Sequence, residues 1–119
     1  MRYPQVMRND DRVCAVYMLT NRKHGTLYTG VSIDLMRRIW EHREGAGSSF
    51  ASKYGLTRLV WFEPYDFLQL AREREKRIKG WKRDWKTNLI ERSNPHWDDL
   101  YPLLAGGHGV QAKDWKPPP

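Results

Sequence analysis

One cysteine, Cys14, occurs in the 119 residues. That scarcity excludes an internal disulfide and any zinc site built from a cysteine cluster. Cys14 lies in the apolar run "VCAVYML", where a buried, inert thiol is the expectation and a nucleophile is not. Long apolar runs are also missing. Nothing approaches the roughly 20 residues of a membrane span, and the start, "MRYPQVMRNDDR", has no apolar core of a secretory signal. A soluble, cytoplasmic protein without a membrane partner is therefore expected. There is no glycine-rich phosphate loop, no serine-hydrolase elbow and no motif for a small-molecule cofactor. The histidines, His24, His42, His96 and His108, show no metal-ligand spacing, so zinc is not expected. Acidic residues are the minority charge, 14 against 21 Lys and Arg, leaving a formal +7. That balance favours an anionic partner, nucleic acid ahead of a membrane surface.

What is present suits one domain. The hydrophobic fraction is 39%, with six Trp, six Tyr and three Phe, enough bulky apolar material for a modest core. Proline and glycine gather at the ends, so residues 1–11 read as a tail, 12–104 as the domain and 105–119 as a disordered tail. "VCAVYML" and "LYTGVS", separated by the polar "TNRKHGT", form a β-hairpin signal. "SIDLMRRIWEHREGAGS" carries Leu35, Met36, Ile39 and Trp40 at helical spacing before Gly45 and Gly47, with Asp34 and Ser32 as alternative N-caps. "LTRLVWFEP" reads as a third strand ended by Pro64. "DFLQLAREREKRIKGW" reads as a long helix in which Asp66 and Gln69 are spaced as a capping box, with Gly80 at its end or at a bend. "KRDWKTNLIERSNP" suggests a further helix closed near Asn94, followed by a short aromatic segment. The order β-β-α-β-α-α implies an α+β fold: a small, three-stranded, mainly antiparallel sheet flanked by helices.

Four polar residues of the hairpin and first helix stand where chemistry could occur. Tyr17 and Tyr28 are brought side by side by a short hairpin, although strand tyrosines are most often core residues with a hydroxyl at the sheet margin. At 3.6 residues per turn, Arg38 and His42 share one border of the apolar arc, while Arg37 and Glu41 point further into solvent. A solvated basic face is the plainer account of that border. On the later helix Phe67, Leu70, Ala71, Ile78 and Trp81 make the expected buried stripe, and Glu75 lies beside it with Lys79 one turn on. An i,i+4 pair of that kind is commonplace. Arg74 falls within the stripe, where a guanidinium needs a carboxylate or carbonyl partner.

The joint spacing of these elements resembles the GIY-YIG nuclease family, in particular its small single-domain bacterial members. The two half-motifs stand here as Ala15-Val16-Tyr17 and Tyr28-Thr29-Gly30. "DLMRRIWEH", "REKRIKGW" and "NPHWDDL" are similar to the family's later blocks, and the resemblance spans roughly residues 12–101. Ala15 and Thr29 depart from the motif's Gly and Ile, and both suit a strand. The resemblance implies that Tyr17, Tyr28, Arg38, His42 and Glu75 form the active site, with Glu75 the one protein ligand of Mg²⁺ or Mn²⁺. It implies proton transfer through Tyr17 or His42, charge stabilisation by Arg38, and positioning of water or phosphate by Tyr28. Gly30 is expected to allow close backbone approach, and the family's final Asn falls on Asn88 or Asn94.

The implied activity is metal-dependent endonucleolytic hydrolysis of DNA, leaving 5′-phosphate and 3′-hydroxyl ends, in repair or recombination. With no length for a second DNA-binding domain, recognition would rest on DNA form, such as single strands, flaps or branches, or on a protein partner. Lys76, Lys79, Lys82 and Arg83, interleaved with Trp81 and Trp85, suit phosphate tracking and base stacking. The plainer account of that stretch is a solvated helix face with both tryptophans in the core. A catalytically idle nucleic-acid-binding module and an RNA-directed or toxin-like nuclease are the rivals.

Overall fold

The strand β1 (Ala15–Thr20) is buried at every position, which only a central strand can be. It lies between β2 (Leu27–Ser32) and β3 (Arg58–Pro64) in the order β2-β1-β3, with both pairings antiparallel. The computed structural model describes residues 12–44 and 49–106; the expected tails, but for Ala105 and Gly106, which are helical, lie outside them, as do His108 and the helix stop at Gly45 and Gly47. The hairpin turn is closed by Gly25 N–H donating to the Arg22 carbonyl at 2.9 Å, with His24 in the left-handed region at φ 58°. Five helices are described: α1 (Leu35–Arg43), α2 (Ser49–Tyr54), α3 (Leu68–Lys79), α4 (Arg83–Ser93) and α5 (Tyr101–Gly106).

Strand alternation divides the core between the two faces of the sheet. Ala15, Tyr17 and Leu19 face one cluster, where Leu35 and Ile39 of α1, Ala51 of α2 and Leu104 of α5 pack on Leu59 and Phe62. Val16 and Met18 face the other, completed by Ala71 and Ile78 of α3, Leu89 and Ile90 of α4, and Trp97. The α+β architecture expected from the sequence is the one observed, with helices on both faces.

Three local details differ from expectation. α2 and α5 are absent from the expected order, because each is six residues long and too short to show a period. The capping box at Asp66 and Gln69 does not form: Phe67 is the N-cap of α3, in extended conformation and without a side-chain cap. The helix therefore begins one residue later than that spacing requires, which leaves Asp66 outside it. The buried stripe of α3 is also narrower than expected, since Phe67 is 67% and Leu70 47% exposed while Ala71 and Ile78 are buried. Phe67 precedes the first turn, and Leu70 is turned about 100° from Ala71 around the helix. At α1 the alternatives combine: the Asp34 carboxylate accepts from Arg37 N–H, and Ser32 Oγ accepts from Asp34 N–H at 3.0 Å.

The segment after α4 is tied to β3 by Asn94. Its buried side-chain amide donates to the Val60 and Asp98 carbonyls at 3.0 and 2.8 Å and accepts from Asp98 N–H at 2.9 Å. This clamps a turn in which Trp97 is buried with φ 58°, a conformation unfavourable for a bulky side chain. Asn94→Ala, which strands these backbone groups, is expected to lower stability by about 3 kcal/mol. Urea denaturation should show a lower midpoint at unchanged slope.

Candidate active site

The register of the hairpin sets the site. Tyr17 is paired with Gly30 and Leu19 with Tyr28, so the tyrosines are diagonal neighbours on one face. Their ring centroids are 6.3 Å apart. Gly30 is required by this arrangement, because a Cβ there would lie 2.6 Å from both Cζ and the hydroxyl oxygen of Tyr17. The Tyr17 ring thus lies across the bare backbone of β2, and its hydroxyl reaches the edge of the sheet.

There it meets α1. His42 Nε2 is 3.0 Å from the Tyr17 hydroxyl oxygen, and Tyr28 contributes a second ring edge, 5.7 Å from the imidazole between centroids. A helical projection alone puts His42 on a border in touch with water. In the structure it is only 3% exposed, because the two tyrosine rings close over it. Arg38, one turn earlier, remains half-buried, hydrogen-bonds to Glu41 at 3.3 Å and sits near enough to the Tyr17 hydroxyl for its charge to favour the ionised phenol. Glu41 also pairs with Arg37 at 3.5 Å and is less exposed than Arg38, so it belongs to this cluster more than to solvent.

Burial governs the protonation of the central pair. Desolvation pushes the Tyr17 phenol far above its ordinary value, helped by the charge of Tyr28 and Glu75 and opposed by Arg38. Desolvation pulls His42 down to about 4, with Arg38 adding to the depression and Glu41 opposing it. At neutral pH both rings are uncharged. Transfer of the phenol proton to Nε2 requires the tautomer that carries the imidazole hydrogen on Nδ1. Nδ1 is buried and has no hydrogen-bond partner among the described residues.

Glu75 arrives from α3, which packs against β2 and β1. Its carboxylate is 3.2 Å from Lys79 Nζ and is close enough to the Tyr17 hydroxyl for its charge to raise that phenol. Arg74, the misfit of the α3 stripe, donates to Glu63 at 3.0 Å and stacks over Trp81 at 5.3 Å, a structural anchor between α3 and β3. Among the described residues no three His, Cys, Asp or Glu side chains gather as a metal cage. A lone carboxylate suits a hard cation held mostly by water and substrate, and it does not suit zinc.

The basic candidates divide. Lys76 and Lys82 are exposed. Lys79 is joined to the site through Glu75, and Arg83 is turned to the hairpin loop, donating to the Gly25 carbonyl at 2.6 Å. Of the two accounts of the tryptophans, Trp85 departs from the core one, being exposed, while Trp81 is half-buried 6.0 Å from it. Asn88 is exposed on α4, and Asn94 is the buried clamp described above. Arg43 also supports α1: it pairs with Asp99, donates to the Thr57 carbonyl at 2.9 Å and lies 4.4 Å over Tyr101. Its partners are remote in the chain, so no local pattern signals it.

A tyrosine pair on an antiparallel hairpin, met by an Arg–His helix and a Glu-bearing helix, defines a nuclease-type domain of the GIY-YIG class. The GIY-YIG catalytic domain matches residues 13–88, and the chain belongs to that family. Among its relatives, a UPF0213 protein of Haloquadratum walsbyi is 38% identical over 66 residues, 56% of this chain and 74% of the relative. A UPF0213 protein of Clostridium perfringens is 37% identical over 75 residues, 63% and 80% respectively. The solution NMR structure of a UPF0213 protein from Bacillus halodurans is 29% identical, covers 76% of this chain and 95% of that one, and has a TM-score of 0.47. The family is generally endonucleolytic and generally uses divalent metal ions.

Proposed function

We propose that this domain is an endonuclease that hydrolyses phosphodiester bonds in DNA, directed by single-stranded or branched form rather than by sequence. The observation that carries the reading is the neutral Tyr17–His42 pair at 3.0 Å, with the Arg38 charge acting on the same phenol. A catalytic acid–base group must first be within hydrogen-bond reach of its partner, and this pair is. Water at the Tyr17 oxygen gives up a proton to it while the phenol proton passes to His42 Nε2. Tyr17 then stays neutral throughout, and the proton held on the His42 imidazolium is passed back through water to the leaving 3′ oxygen.

The resulting hydroxide attacks phosphorus, and the bond to the 3′ oxygen breaks, leaving 5′-phosphate and 3′-hydroxyl ends. Arg38 holds charge on the non-bridging oxygens. Tyr28, beside both partners of the relay, positions the water or phosphate. Glu75, with water, would hold a divalent cation, Mg²⁺ or Mn²⁺, and that cation would supply Lewis-acid polarisation of the phosphate and stabilise the leaving oxygen. Lys76 and Lys82 extend the electrostatic footprint along the strand.

The test is incubation with single-stranded, duplex, flapped and branched DNA, and with RNA, in Mg²⁺, Mn²⁺ or chelator. Cleavage of single-stranded or branched DNA that stops in chelator is the expected result. Cleavage persisting in chelator sinks the metal role. Tight binding with no cleavage of any substrate makes the domain an idle binding module, and RNA cut in preference to DNA overturns the substrate.

A further inference from the structure

We infer that an arginine-walled cavity beside the catalytic tyrosine holds one unpaired nucleotide next to the scissile phosphate. This rests on the nuclease reading, and it narrows the substrate to strands whose bases are free. A cavity of about 470 Å³ opens between the end of β2, the start of α1 and the start of α3. Four guanidinium groups line it, from Arg12, Arg37, Arg38 and Arg72, against the two carboxylates of Asp34 and Glu41. Asp34 is engaged by the first turn of α1, and Glu41 bridges Arg37 and Arg38, so the excess charge is positive. Arg38 is the link to chemistry. The same side chain that lines the cavity stands one helical turn before His42, the partner of the Tyr17 hydroxyl, and its charge acts on that phenol, so a strand whose phosphate reacts at Tyr17 passes its neighbouring nucleotide into this space.

The rest of the lining is apolar but for Ser32. Ile33 and Leu68 belong to the cavity wall; Ile33 is 57% exposed, and Phe67, next to Leu68 at the start of α3, also stands open to water. Exposed branched aliphatic side chains among guanidinium groups are poorly explained by folding and well explained by a ligand with an anionic part and a flat, apolar part. A nucleotide has both. In a duplex the faces of a base are stacked and its edge is paired, so only an unpaired base can turn a face to Ile33 and Leu68 while its phosphate meets arginine.

The measurement is anisotropy binding of a short single-stranded oligonucleotide and of its duplex, in chelator, so that the readout does not depend on turnover. Arg72→Glu is expected to weaken single-strand binding about tenfold by reversing one charge at the wall. Ile33→Ser is expected to weaken single-strand binding about threefold and to leave duplex binding unchanged. Both residues are exposed, and thermal melts of the variants confirm that folding is intact. Unchanged single-strand binding in both variants overturns the inference, as does an equal loss for duplex and single strand in Ile33→Ser. Cleavage by protein whose variants bind normally removes the cavity and keeps the nuclease. Selective single-strand loss in a protein that cleaves nothing keeps the cavity and removes the nuclease.

Discussion

Tyr17→Phe is expected to lower cleavage roughly 10²–10⁴-fold, the usual scale for removing a positioned acid–base group. The ring is retained, so its packing on Gly30 and against Tyr28 survives. What is lost is the oxygen that faces His42 at 3.0 Å. Stability should fall by only about 1 kcal/mol, the cost of one buried hydrogen bond. The acid limb of kcat/KM in the wild type locates the second partner. His42 must be neutral to accept the proton, so activity is lost as pH falls through its folded value of about 4, and not near the ordinary 6.5. An acid limb near 6.5 would show that His42 titrates as if exposed and would remove it from the relay. Full activity in Tyr17→Phe would remove Tyr17.

The same depression has a consequence for folding. An unfolded His42 takes up its proton near pH 6.5, whereas the folded one resists until about 4. Its contribution to stability is present above about 6.5 and is lost as pH falls toward 4. Burial explains why, with the charge of Arg38 adding to it: a charged imidazole is costly in a setting that water does not reach and that already faces a guanidinium.

Much of the frame is legible in the sequence because its signals are local. Period-two alternation places Tyr17 and Leu19 on one face of β1 with Val16 and Met18 on the other, and Leu35 and Ile39 recur one turn apart on α1. The cap of α3 is not legible, since two polar residues at capping spacing cannot reveal that the chain stays extended through Phe67. Phe67 and Leu70 read as core on hydrophobicity alone, but only tertiary packing decides which apolar side chains a helix buries. In the site, family spacing names Tyr17, Tyr28, Arg38, His42 and Glu75, yet it carries no depth. That His42 is sealed under two rings, and that Gly30 makes room for a ring rather than for backbone, follow from the register of β1 on β2. Arg83 illustrates the opposite error. A cation in a basic run reads as a phosphate contact until a carbonyl from the distant hairpin loop is found to hold it.

Glu75→Gln is expected to cut cleavage by about 10³-fold or more, while nucleic-acid binding in chelator stays equal or becomes slightly tighter. The carboxylate lies on α3, mostly covered, with its Lys79 partner the more exposed of the pair. Amide replacement keeps shape and removes one negative charge from a place where phosphate must approach, so binding has nothing to lose. The i,i+4 pair with Lys79 contributes about 0.3–0.5 kcal/mol, and the melting temperature should move little. Metal dependence separates a ligand from a merely structural carboxylate. Added Mg²⁺ or Mn²⁺ should raise the melting temperature of the wild type, since a ligand bound by the folded state alone stabilises it by mass action. Glu75→Gln should lose that rise, and Lys79→Met, which frees the carboxylate of its cationic neighbour, should enlarge it. A Glu75→Gln variant that melts normally and still gains stability from metal would place the cation elsewhere, and the loss of cleavage would then be assigned to the field of Glu75 on the Tyr17 phenol.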